Sequence, residues 1–497
     1  GTSKAESSTE STNALVAFQF SMRTLCVVVF LVACMMWGVI GIRSAWRYEE
    51  AVRDLQSKGA WIYFDYEFDS HGKAVYPADP PGPRWLLDRT SPYLFARVQQ
   101  IRLQYGHSLE NLDSLRLFPD LQRLSWTYGE AGVLEFIGAF PKLTTLNISC
   151  TGDPAPIGQL KKLEELWIRN PDIVDLQFLS GCSQLEVLQC DSENLADISA
   201  LEGLGHIKEL TFDYPLPSGL ETIGTLSTLQ SLSICIEENN VDLIPLANLP
   251  QLSHLTIRSS GAEIEFEDIA EFSSLRSLRL INIAPPARSQ VEPLITNGLE
   301  RVELEACEWV KNNSAVSVFD GVSEICADSC YLDTLDGITA LKGLKSIRVG
   351  GLNRLRNLNC LEGLTSLESL IIEDAGQFDN EDFHVLRSLT GMKHLRVASL
   401  SKLENVTALT SLEELDLAYE SAVSDLSPLE NLTSLKRLNL AGCQSLPGID
   451  ALRQMRWLEF LDVGETNLTR QEIETLRQEL TETEIVAWDP GRPYPEY

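Results

Sequence analysis

One short apolar pattern recurs through most of this 497-residue chain and limits what it can fold into. Stretches of the form L-x-x-L-x-x-L-x-[LI] occur at 160–168, 226–234, 364–372, 409–417 and 432–440. The second apolar residue of each unit is its anchor, and the anchors are Val98, Leu121, Leu143, Leu163, Leu185, Ile207, Leu229, Leu252, Leu275, Leu299, Val322, Leu344, Leu367, Met392, Leu412, Leu435 and Leu458. These seventeen anchors span 360 residues at a mean step of 22.5, with single steps of 20 to 25 residues. A period of this length is typical of a repeat architecture in which similar units stack side by side.

The spacing within a unit predicts its local structure. The last two apolar positions are two residues apart, as they are on one face of a β-strand. Each unit is therefore expected to add one short parallel strand and to return along the opposite side. The returns at 175–179 (DLQFL), 197–201 (DISAL) and 425–429 (DLSPL) favour tight turns or 3₁₀ helix, whereas 381–386 (EDFHVL) favours a fuller helix. Since no unit can bury its apolar face alone, stability comes from stacking.

We therefore predict an α/β repeat solenoid, curved into a horseshoe. Its parallel sheet lines the concave face, 3₁₀ or short helices line the convex face, and one transmembrane helix precedes it. The predicted parts are a disordered segment at 1–23, the transmembrane helix at 24–42, a helix-strand linker and N-terminal cap at 43–97, the repeat array at 98–468, and a C-terminal cap and tail at 469–497. The caps are expected because an exposed terminal repeat would leave a bare apolar edge.

Both caps have recognisable elements. Residues 44–59 (SAWRYEEAVRDLQSKG) predict a short amphipathic helix that stops at Gly59, and 60–68 (AWIYFDYEF) predicts an aromatic strand. A proline-stiffened turn at 76–87 should lead into a short helix. At the other end we predict a helix at 469–480 and a last strand at 483–488.

An apolar run stands before the repeats. Leu25 to Ile42 is 18 residues long, about 27 Å as a helix, which is just enough to cross a hydrocarbon core. A permanent single-pass anchor is the leading interpretation, and a cleaved secretory signal or a lipoprotein signal ending at Cys34 are the alternatives. More arginine and lysine follows the run than precedes it, so the positive-inside rule favours cytoplasmic repeats by a small margin.

Charge and motifs exclude several classes of function. The chain has 71 acidic and 40 basic residues and a formal charge of -31, which repels nucleic acid. It contains no phosphate-binding loop, no zinc-ligand spacing and no nucleophile elbow. We expect no enzyme activity, no cofactor, no metal and no small-molecule substrate.

Several of the eleven cysteines fall on structural positions. The ninth repeat position, usually asparagine in such repeats, holds Cys307, Cys330, Cys443, Thr151, Glu193 and Thr466. A small inward-facing thiol is an accepted substitute there, and Cys190 falls on a buried strand position. Cys307 and Cys330 occupy equivalent positions in adjacent units, about 5 Å apart on a strand ladder, so a disulfide between them stays open.

The concave sheet is the best candidate for function, because residues two, four and six after each anchor should point outward from it. The candidate partner-binding residues are Trp167, Arg169, Asp191, Arg279, Arg301, Glu303, Glu305, Arg348, His394, Arg396, Asp416 and Arg437. They form alternating basic and acidic blocks, which suit a protein partner with matching patches. Tryptophan and arginine are also the residue types that dominate binding energy at interfaces. The alternative is that mixed charge only solvates the sheet.

The chain resembles leucine-rich repeat proteins over residues 95–488, and its DLSPL-type returns are similar to those of the 22-residue, internalin-like class. The front motifs FSMRTL (20–25), YFDYEFD (63–69) and PPGPRWLL (80–87) resemble membrane-anchored bacterial repeat proteins of the planctomycete type. That resemblance implies a membrane-tethered, non-enzymatic scaffold that binds a protein. Two alternatives are an envelope or adhesion protein that recognises a glycan or surface polymer, and a regulatory subunit of a phosphatase or kinase.

Overall fold

The computed structural model describes most of the chain after the apolar run. The described residues are 43–68, 75, 79–87, 93, 95–103, 112–127, 133–216, 219–284, 298–307, 319, 321–330, 335–351, 355, 357–373, 378, 380–400 and 402–487. The predicted segment 1–23, the predicted transmembrane helix 24–42 and the tail after residue 487 lie outside them. Among the described helices, none has the length and apolar character needed to cross a membrane.

The chain forms two compact units, Gly1–Ser125 and Trp126–Tyr497, here called unit 1 and unit 2. In unit 1, helix α1 covers residues 43–57 and buries Ala51, Val52 and Leu55, as its amphipathic pattern predicts. It ends before Gly59, whose φ of 84° is the left-handed conformation that glycine adopts without strain. The remaining elements are β1 (Trp61–Phe64), a 3₁₀ turn (Asp65–Glu67), α2 (Arg84–Leu87), β2 (Val98–Leu103), a 3₁₀ helix (Leu112–Leu117) and the start of β3 (Arg123–Trp126). Strands β1 and β2 pair antiparallel.

Unit 2 contains one parallel sheet of sixteen strands, β4 to β19. The strands are β4 (Thr145–Ser149), β5 (Glu165–Arg169), β6 (Val187–Asp191), β7 (Glu209–Pro215), β8 (Ser231–Ile236), β9 (His254–Ser259), β10 (Ser277–Ile281), β11 (Arg301–Glu305), β12 (Glu324–Asp328), β13 (Ser346–Gly350), β14 (Ser369–Ile372), β15 (His394–Val397), β16 (Glu414–Asp416), β17 (Arg437–Asn439), β18 (Phe460–Asp462) and β19 (Glu484–Val486). Each strand pairs with the strand of the next unit, and the register keeps equivalent residues side by side, as for Leu166 and Leu188.

The core follows the anchors. Each of the seventeen anchors is at most 3% exposed, and the apolar strand residues behind them are buried as well. One strand per period, parallel register and a continuous column of buried leucines define a leucine-rich repeat solenoid of the α/β class. The predicted α/β repeat solenoid and its repeat period are confirmed, whereas the predicted transmembrane helix lies outside the described residues.

The returns are mostly 3₁₀ helices held by aspartates. The 3₁₀ segments of unit 2 are Ala155–Gln159, Gln177–Gly181, Ser199–Gly203, Asp336–Ala340, Asn359–Leu361, Asn380–Ser388, Leu403–Asn405 and Ser427–Asn431. Asp175, Asp197 and Asp425 each accept a bond from the backbone N–H two residues later, at 2.8–2.9 Å. This is the Asx geometry that the DLQFL, DISAL and DLSPL returns predict. The prediction of a fuller helix at 381–386 is wrong, since Asn380–Ser388 is 3₁₀ throughout.

Short α-helices replace 3₁₀ turns in some units. They are α3 (Val133–Ile137), α4 (Leu220–Ile223), α5 (Ile244–Ala247), α6 (Phe266–Ala270) and α7 (Asp450–Gln454). The longest helix of unit 2, α8 (Arg470–Glu479), begins with a capping box in which Thr469 and Glu472 bond each other's backbone N–H. It leads into β19, as the sequence predicts. The domain boundaries proposed from sequence stay a prediction.

In the turn after each strand one side chain points into the core, and these side chains stack from unit to unit; they are here called the buried ladder. The place of the ladder residue within its unit changes along unit 2. In the units of β4 to β6 it directly follows the strand, at Cys150, Asn170 and Ser192, which are at most 4% exposed. In the described units of β10 to β13 and β15 to β18 a residue with positive φ lies seven places after the anchor, and the next residue takes the ladder position, where Ile283, Cys307, Cys330, Leu400 and Cys443 are buried. The positive-φ residues are Asn282, Ala306, Ser329, Gly351, Ser399, Tyr419, Gly442 and Glu465.

This change explains why some residues predicted at the ninth repeat position are buried and others are not. Cys307, Cys330 and Cys443 are fully buried at the predicted ninth position, and their thiols donate to carbonyl oxygens of the preceding unit at 3.2–3.4 Å. Thr151 and Glu193, predicted at the same position, are exposed instead. Their units lack the extra left-handed residue, so a fixed count from the anchor overshoots by one.

Candidate functional site

The predicted partner-binding residues all lie on one face of the unit 2 sheet. Side chains of each strand alternate between the core and an outer face, here called the polar face; β5 presents Trp167 and Arg169 and buries Ile168. Parallel register places Trp167 beside Gln189 and Arg169 beside Asp191. The other candidates on this face are Arg279 on β10, Arg301, Glu303 and Glu305 on β11, Arg348 on β13, His394 and Arg396 on β15, Asp416 on β16 and Arg437 on β17.

A shallow cup surrounds Trp167. Its volume is about 220 Å³, and its lining is Thr127, Asn147, Ile148, Ser149, Trp167, Ile168, Arg169, Gln189 and Asp191. On one side Arg169 Nε lies 3.3 Å from Asp191 Oδ2. Burial raises the pKa of the Asp191 carboxyl, Arg169 opposes that shift, and the nearby Asp213 adds to it. The cup is large enough for one side chain or one sugar ring.

The cup holds several polar groups that bind nothing else in the described part of the chain. Among those residues, none forms a hydrogen bond with the Asn147 amide, the Ser149 hydroxyl or the Trp167 indole N–H. Gln189 donates its Nε2 to Asp213 Oδ2 at 2.7 Å, which leaves its own carbonyl oxygen unused. A half-buried aromatic ring with unused donors and acceptors around it is suited to an incoming group that brings both apolar surface and hydrogen-bonding atoms.

The charged residues of β10 to β12 are already paired with each other. Arg279 Nη2 donates to Glu305 Oε2 at 2.7 Å, and its Nε lies 3.6 Å from Glu303 Oε2. Arg301 donates from Nε to Glu303 Oε1 at 2.7 Å and from Nη1 to Glu324 Oε2 at 3.2 Å. The hydrogen bond to Glu305 raises the pKa of the Arg279 guanidinium, as the neighbouring carboxylates also do.

A second chain of ion pairs runs from β13 to β16. Arg348 Nη2 lies 3.4 Å from Glu373 Oε2, and Arg396 Nη1 lies 3.6 Å from Glu373 Oε1 and 3.6 Å from Asp416 Oδ2. Glu373 is not among the candidates, although it lies six residues after its anchor Leu367, which is the outward position that Glu305 holds three strands earlier.

The pairing continues into the last strands. His394 Nδ1 lies 3.3 Å from Glu414 Oε2, and Arg437 Nε lies 3.7 Å from Glu414 Oε1. The guanidinium of Arg437 also stands over the ring of Phe460, with 4.3 Å between Cζ and the ring centroid. Phe460 is therefore covered on this side by a residue of the same chain.

The polar face thus differs from a series of separate charged blocks. Its basic and acidic residues are joined in chains of ion pairs, so a partner that binds one of these arginines competes with a carboxylate already in place. Mixed charge that solvates a sheet explains these chains without any partner. The Trp167 cup is the part of the polar face that this explanation leaves out.

Asp416 has a structural task in addition to its ion pair. Its Oδ1 accepts from Ala418 N at 2.9 Å, and Asn439 and Asp462 make the same bond two residues on, at 3.0 and 2.8 Å. These three residues hold the turns after β16, β17 and β18. Sequence periodicity alone does not separate such a turn-holding carboxylate from one that waits for a partner.

The cysteines carry no catalytic or metal-binding arrangement in the described residues. All nine described cysteines are free thiols, Cys307 and Cys330 included. Burial raises the pKa of Cys190 and Cys330 to about 12, which keeps both protonated and unreactive. Within the same residues no group of three histidine, cysteine or acidic side chains is placed to hold a metal ion.

Known proteins resemble the chain in fold at low identity. It matches no protein-family model and no curated protein. Among solved structures, a leucine-rich repeat protein of Leptospira interrogans shares 18% identity over 77% of this chain and 94% of its own, with a TM-score of 0.42. The internalin InlF of Listeria monocytogenes shares 18% over 82% and 94%, with a TM-score of 0.33. A chain of the mouse RP105/MD-1 complex shares 17% over 79% and 82%, with a TM-score of 0.48. The fold assignment rests on the strand register and period of this chain itself.

Proposed function

We propose that this leucine-rich repeat protein is a membrane-tethered, non-enzymatic scaffold that binds a protein partner through the polar face of unit 2. The observation that carries the proposal is the Trp167 cup, where a half-buried indole stands among polar groups with no described partner. A tryptophan in such a setting is a residue type that anchors interfaces. The ion-pair chains further along the sheet, from β10 to β17, then add a polar surface that disfavours partners of mismatched charge.

A protein side chain fits the cup better than an extended polymer does. The described strands of unit 2 present two aromatic rings on the polar face, Trp167 and Phe460, and Arg437 covers the second one. A long glycan chain is usually held by several stacked rings, whereas one inserted side chain needs a single platform. Glycan recognition remains the second candidate function, favoured by the indole and the amides of Asn147 and Gln189 in one cup.

Site-specific photo-crosslinking tests the protein-binding proposal. The photoreactive residue benzoylphenylalanine replaces Gln189 in the cup, or Glu202 in an exposed return as the matched control, in the 497-residue chain expressed in its native host. After irradiation we expect adducts of discrete mass from position 189 and none of the same mass from position 202. Trp167→Ala introduced with the position-189 probe should abolish them. Identical adducts at both positions would place the binding surface elsewhere.

A glycan array with the same chain separates the two candidates. Retention on defined glycans that Trp167→Ala removes, together with no protein adducts at position 189, would favour the glycan function. Trp46→Ala is the control in both assays, because Trp46 is 60% exposed and belongs to unit 1.

The membrane tether is a separate part of the proposal and rests on the apolar run at 24–42. Alkaline carbonate extraction should leave the chain in the membrane pellet, whereas a variant without 24–42 should be released. Protease added to intact cells then reports orientation: protected repeats favour the cytoplasmic side, where a phosphatase or kinase regulator could act, and digested repeats favour an envelope role.

A further inference from the structure

Unit 1 carries a second exposed surface, built from the predicted cap and from the first predicted repeats. Trp61 and Tyr63 point to the same side of β1, and Trp61 is 54% exposed. On β2, Arg102 lies opposite Trp61. Phe68 and Arg123 continue this surface, and the five side chains are here called the aromatic ridge.

Within the ridge, two adjacent rings, Tyr63 and Phe68, have a guanidinium group at each end. Arg102 Cζ lies 5.6 Å from the centroid of the Tyr63 ring, which lies 6.3 Å from the centroid of the Phe68 ring. At the other end of the ridge, Arg123 Cζ lies 5.7 Å from the centroid of the Phe68 ring. These distances are within the range of cation–π attraction, so each ring helps to hold a guanidinium in place.

The two arginines of the ridge have no carboxylate partner in the described part of the chain. Every arginine named on the polar face of unit 2 has at least one carboxylate within 4 Å, whereas among described residues neither Arg102 nor Arg123 has any. With the Gln100 amide turned so that its oxygen faces Arg102, that oxygen accepts from Arg102 Nε at 2.7 Å and Nη2 at 3.2 Å. The remaining N–H groups of Arg102 stay free for another acceptor.

We propose that the aromatic ridge docks a protein segment in which acidic residues flank an apolar side chain. A guanidinium held against a ring keeps its N–H edge available for a bidentate bond to a carboxylate. The exposed faces of Trp61 and Tyr63 between the charges offer contact for the apolar residue. A sparse acidic segment fits this arrangement better than a dense polyanion, because the chain as a whole carries a charge of -31. This surface is separate from the Trp167 cup and does not depend on the function proposed for it.

Selection from a random twelve-residue peptide library displayed on phage tests the proposal with the full chain as bait, kept in mild detergent. We expect enrichment of peptides with Asp or Glu on both sides of an apolar residue. Arg102→Gln and Arg123→Gln should each weaken the best synthetic peptide about tenfold or more, since a charged hydrogen bond is lost. Tyr63→Leu should weaken it too, whereas Tyr63→Phe should not, because phenylalanine keeps the ring.

Three controls make the outcome decisive. Arg47→Gln removes the same charge from an exposed position of α1 and should leave affinity within twofold. Trp167→Ala should also leave it unchanged, which separates this surface from the cup. Thermal unfolding must show that each variant is folded. Selected peptides without acidic enrichment, or peptides that bind the Arg102→Gln/Arg123→Gln double variant equally well, would overturn the proposal. Binding of single-stranded polyuridine through the same two arginines would replace it with nucleic-acid recognition.

Discussion

Arg258 and Asp213 form an ion pair that bridges across a whole strand. Arg258 Nη1 donates to Asp213 Oδ1 at 2.7 Å, although Arg258 belongs to β9 and Asp213 to β7. The side chain of Ser233 on the intervening β8 accepts a longer bond of 3.4 Å from Arg258 Nη2. One residue thus connects three consecutive repeats on the polar face.

We expect this bridge to contribute modestly to stability. In a double-mutant cycle of Arg258→Met and Asp213→Asn, the coupling free energy should be about 0.5–1 kcal/mol, because both side chains are partly exposed. Thermal unfolding of the four variants measures it. The coupling should fall in 1 M salt, since screening weakens partly exposed pairs. A coupling that is zero at low salt would show that the pair contributes nothing.

The cysteines should react in two groups. Cys235 and Cys326 lie on the polar face and are partly exposed, whereas Cys190, Cys330 and Cys443 are buried, and burial raises the pKa of Cys443 to about 11. Brief iodoacetamide treatment of the folded chain at pH 8, followed by peptide mapping, should label Cys235 and Cys326 first. The buried group should need denaturant. Early labelling of Cys330 would contradict its place in the ladder.

The left-handed residue after β11 is a site for stabilisation. Ala306 has a φ of 52°, a conformation that costs an L-residue with a side chain about 1 kcal/mol and costs glycine little. Ala306→Gly should therefore raise the unfolding free energy by up to about 1 kcal/mol. Ala441→Gly is the matched control, because Ala441 is absent from the positive-φ residues, and it should destabilise by roughly 0.5 kcal/mol. Opposite signs in thermal unfolding are the expected result.

Glu420 makes stability depend on pH. Its half-buried side chain takes the ladder position of its unit, where Oε1 accepts from Ser399 N at 2.8 Å. Burial raises the pKa of its carboxyl, the Ser399 bond opposes the shift, and Asp416 adds to it. Because the pKa of Glu420 is higher in the folded state than in the unfolded state, its protonated form favours folding. This contribution is fully present below the unfolded-state pKa and is lost as pH rises through the folded-state pKa.

Glu420→Gln should therefore be more stable than the parent chain at pH 7.5, by roughly 1–3 °C in midpoint, and equal to it near pH 4. Glutamine keeps the acceptor oxygen and removes the charge. Glu404→Gln, at an exposed position of the preceding unit, controls for the general relief of negative charge. A gain of the same size at both pH values, or in the control, would rule out the ladder carboxyl as its cause.

The turn after β18 should depend on an acceptor rather than on a charge. Asp462→Ala removes the bond to Gly464 N and should cost about 1 kcal/mol. Asp462→Asn should be close to neutral, because Asn439 makes the same bond in the preceding unit. Denaturant unfolding compares the two variants. Equal losses would indicate that the negative charge is what matters.

The fold followed from the sequence because its main determinant is periodic. Anchors such as Leu185 and Leu435 mark the core directly, and alternation within a strand then fixes which residues face outward. The outward face was predicted correctly for the same reason. What each outward residue does was not predictable from position. Asp416 holds a turn and pairs with Arg396, and Glu373 pairs with Arg348 and Arg396. These roles depend on how far a side chain reaches into the next unit, which the period does not reveal.

The other differences between prediction and structure concern single turns and one strand pairing. Thr151 and Glu193 were assigned to the ladder because the count assumed one turn length for all units, and the extra left-handed residue is not marked by one residue type. Asn282, Ala306 and Tyr419 share no side-chain chemistry. The sequence places Trp61, Tyr63 and Phe68 in the predicted cap at 43–97 but Arg102 and Arg123 in the repeat array, and only the pairing of β1 with β2 brings Arg102 opposite Trp61.

The one-residue change in the turn also limits how such an array can grow or be rearranged. A unit copied from the β4–β6 stretch and inserted among β10–β13 would bring its buried residue to the wrong side of the turn, and Asn170 would meet a neighbour such as Cys307 out of step. Deletion of one whole repeat is therefore expected to disturb the packing less within either stretch than at the junction between the two stretches.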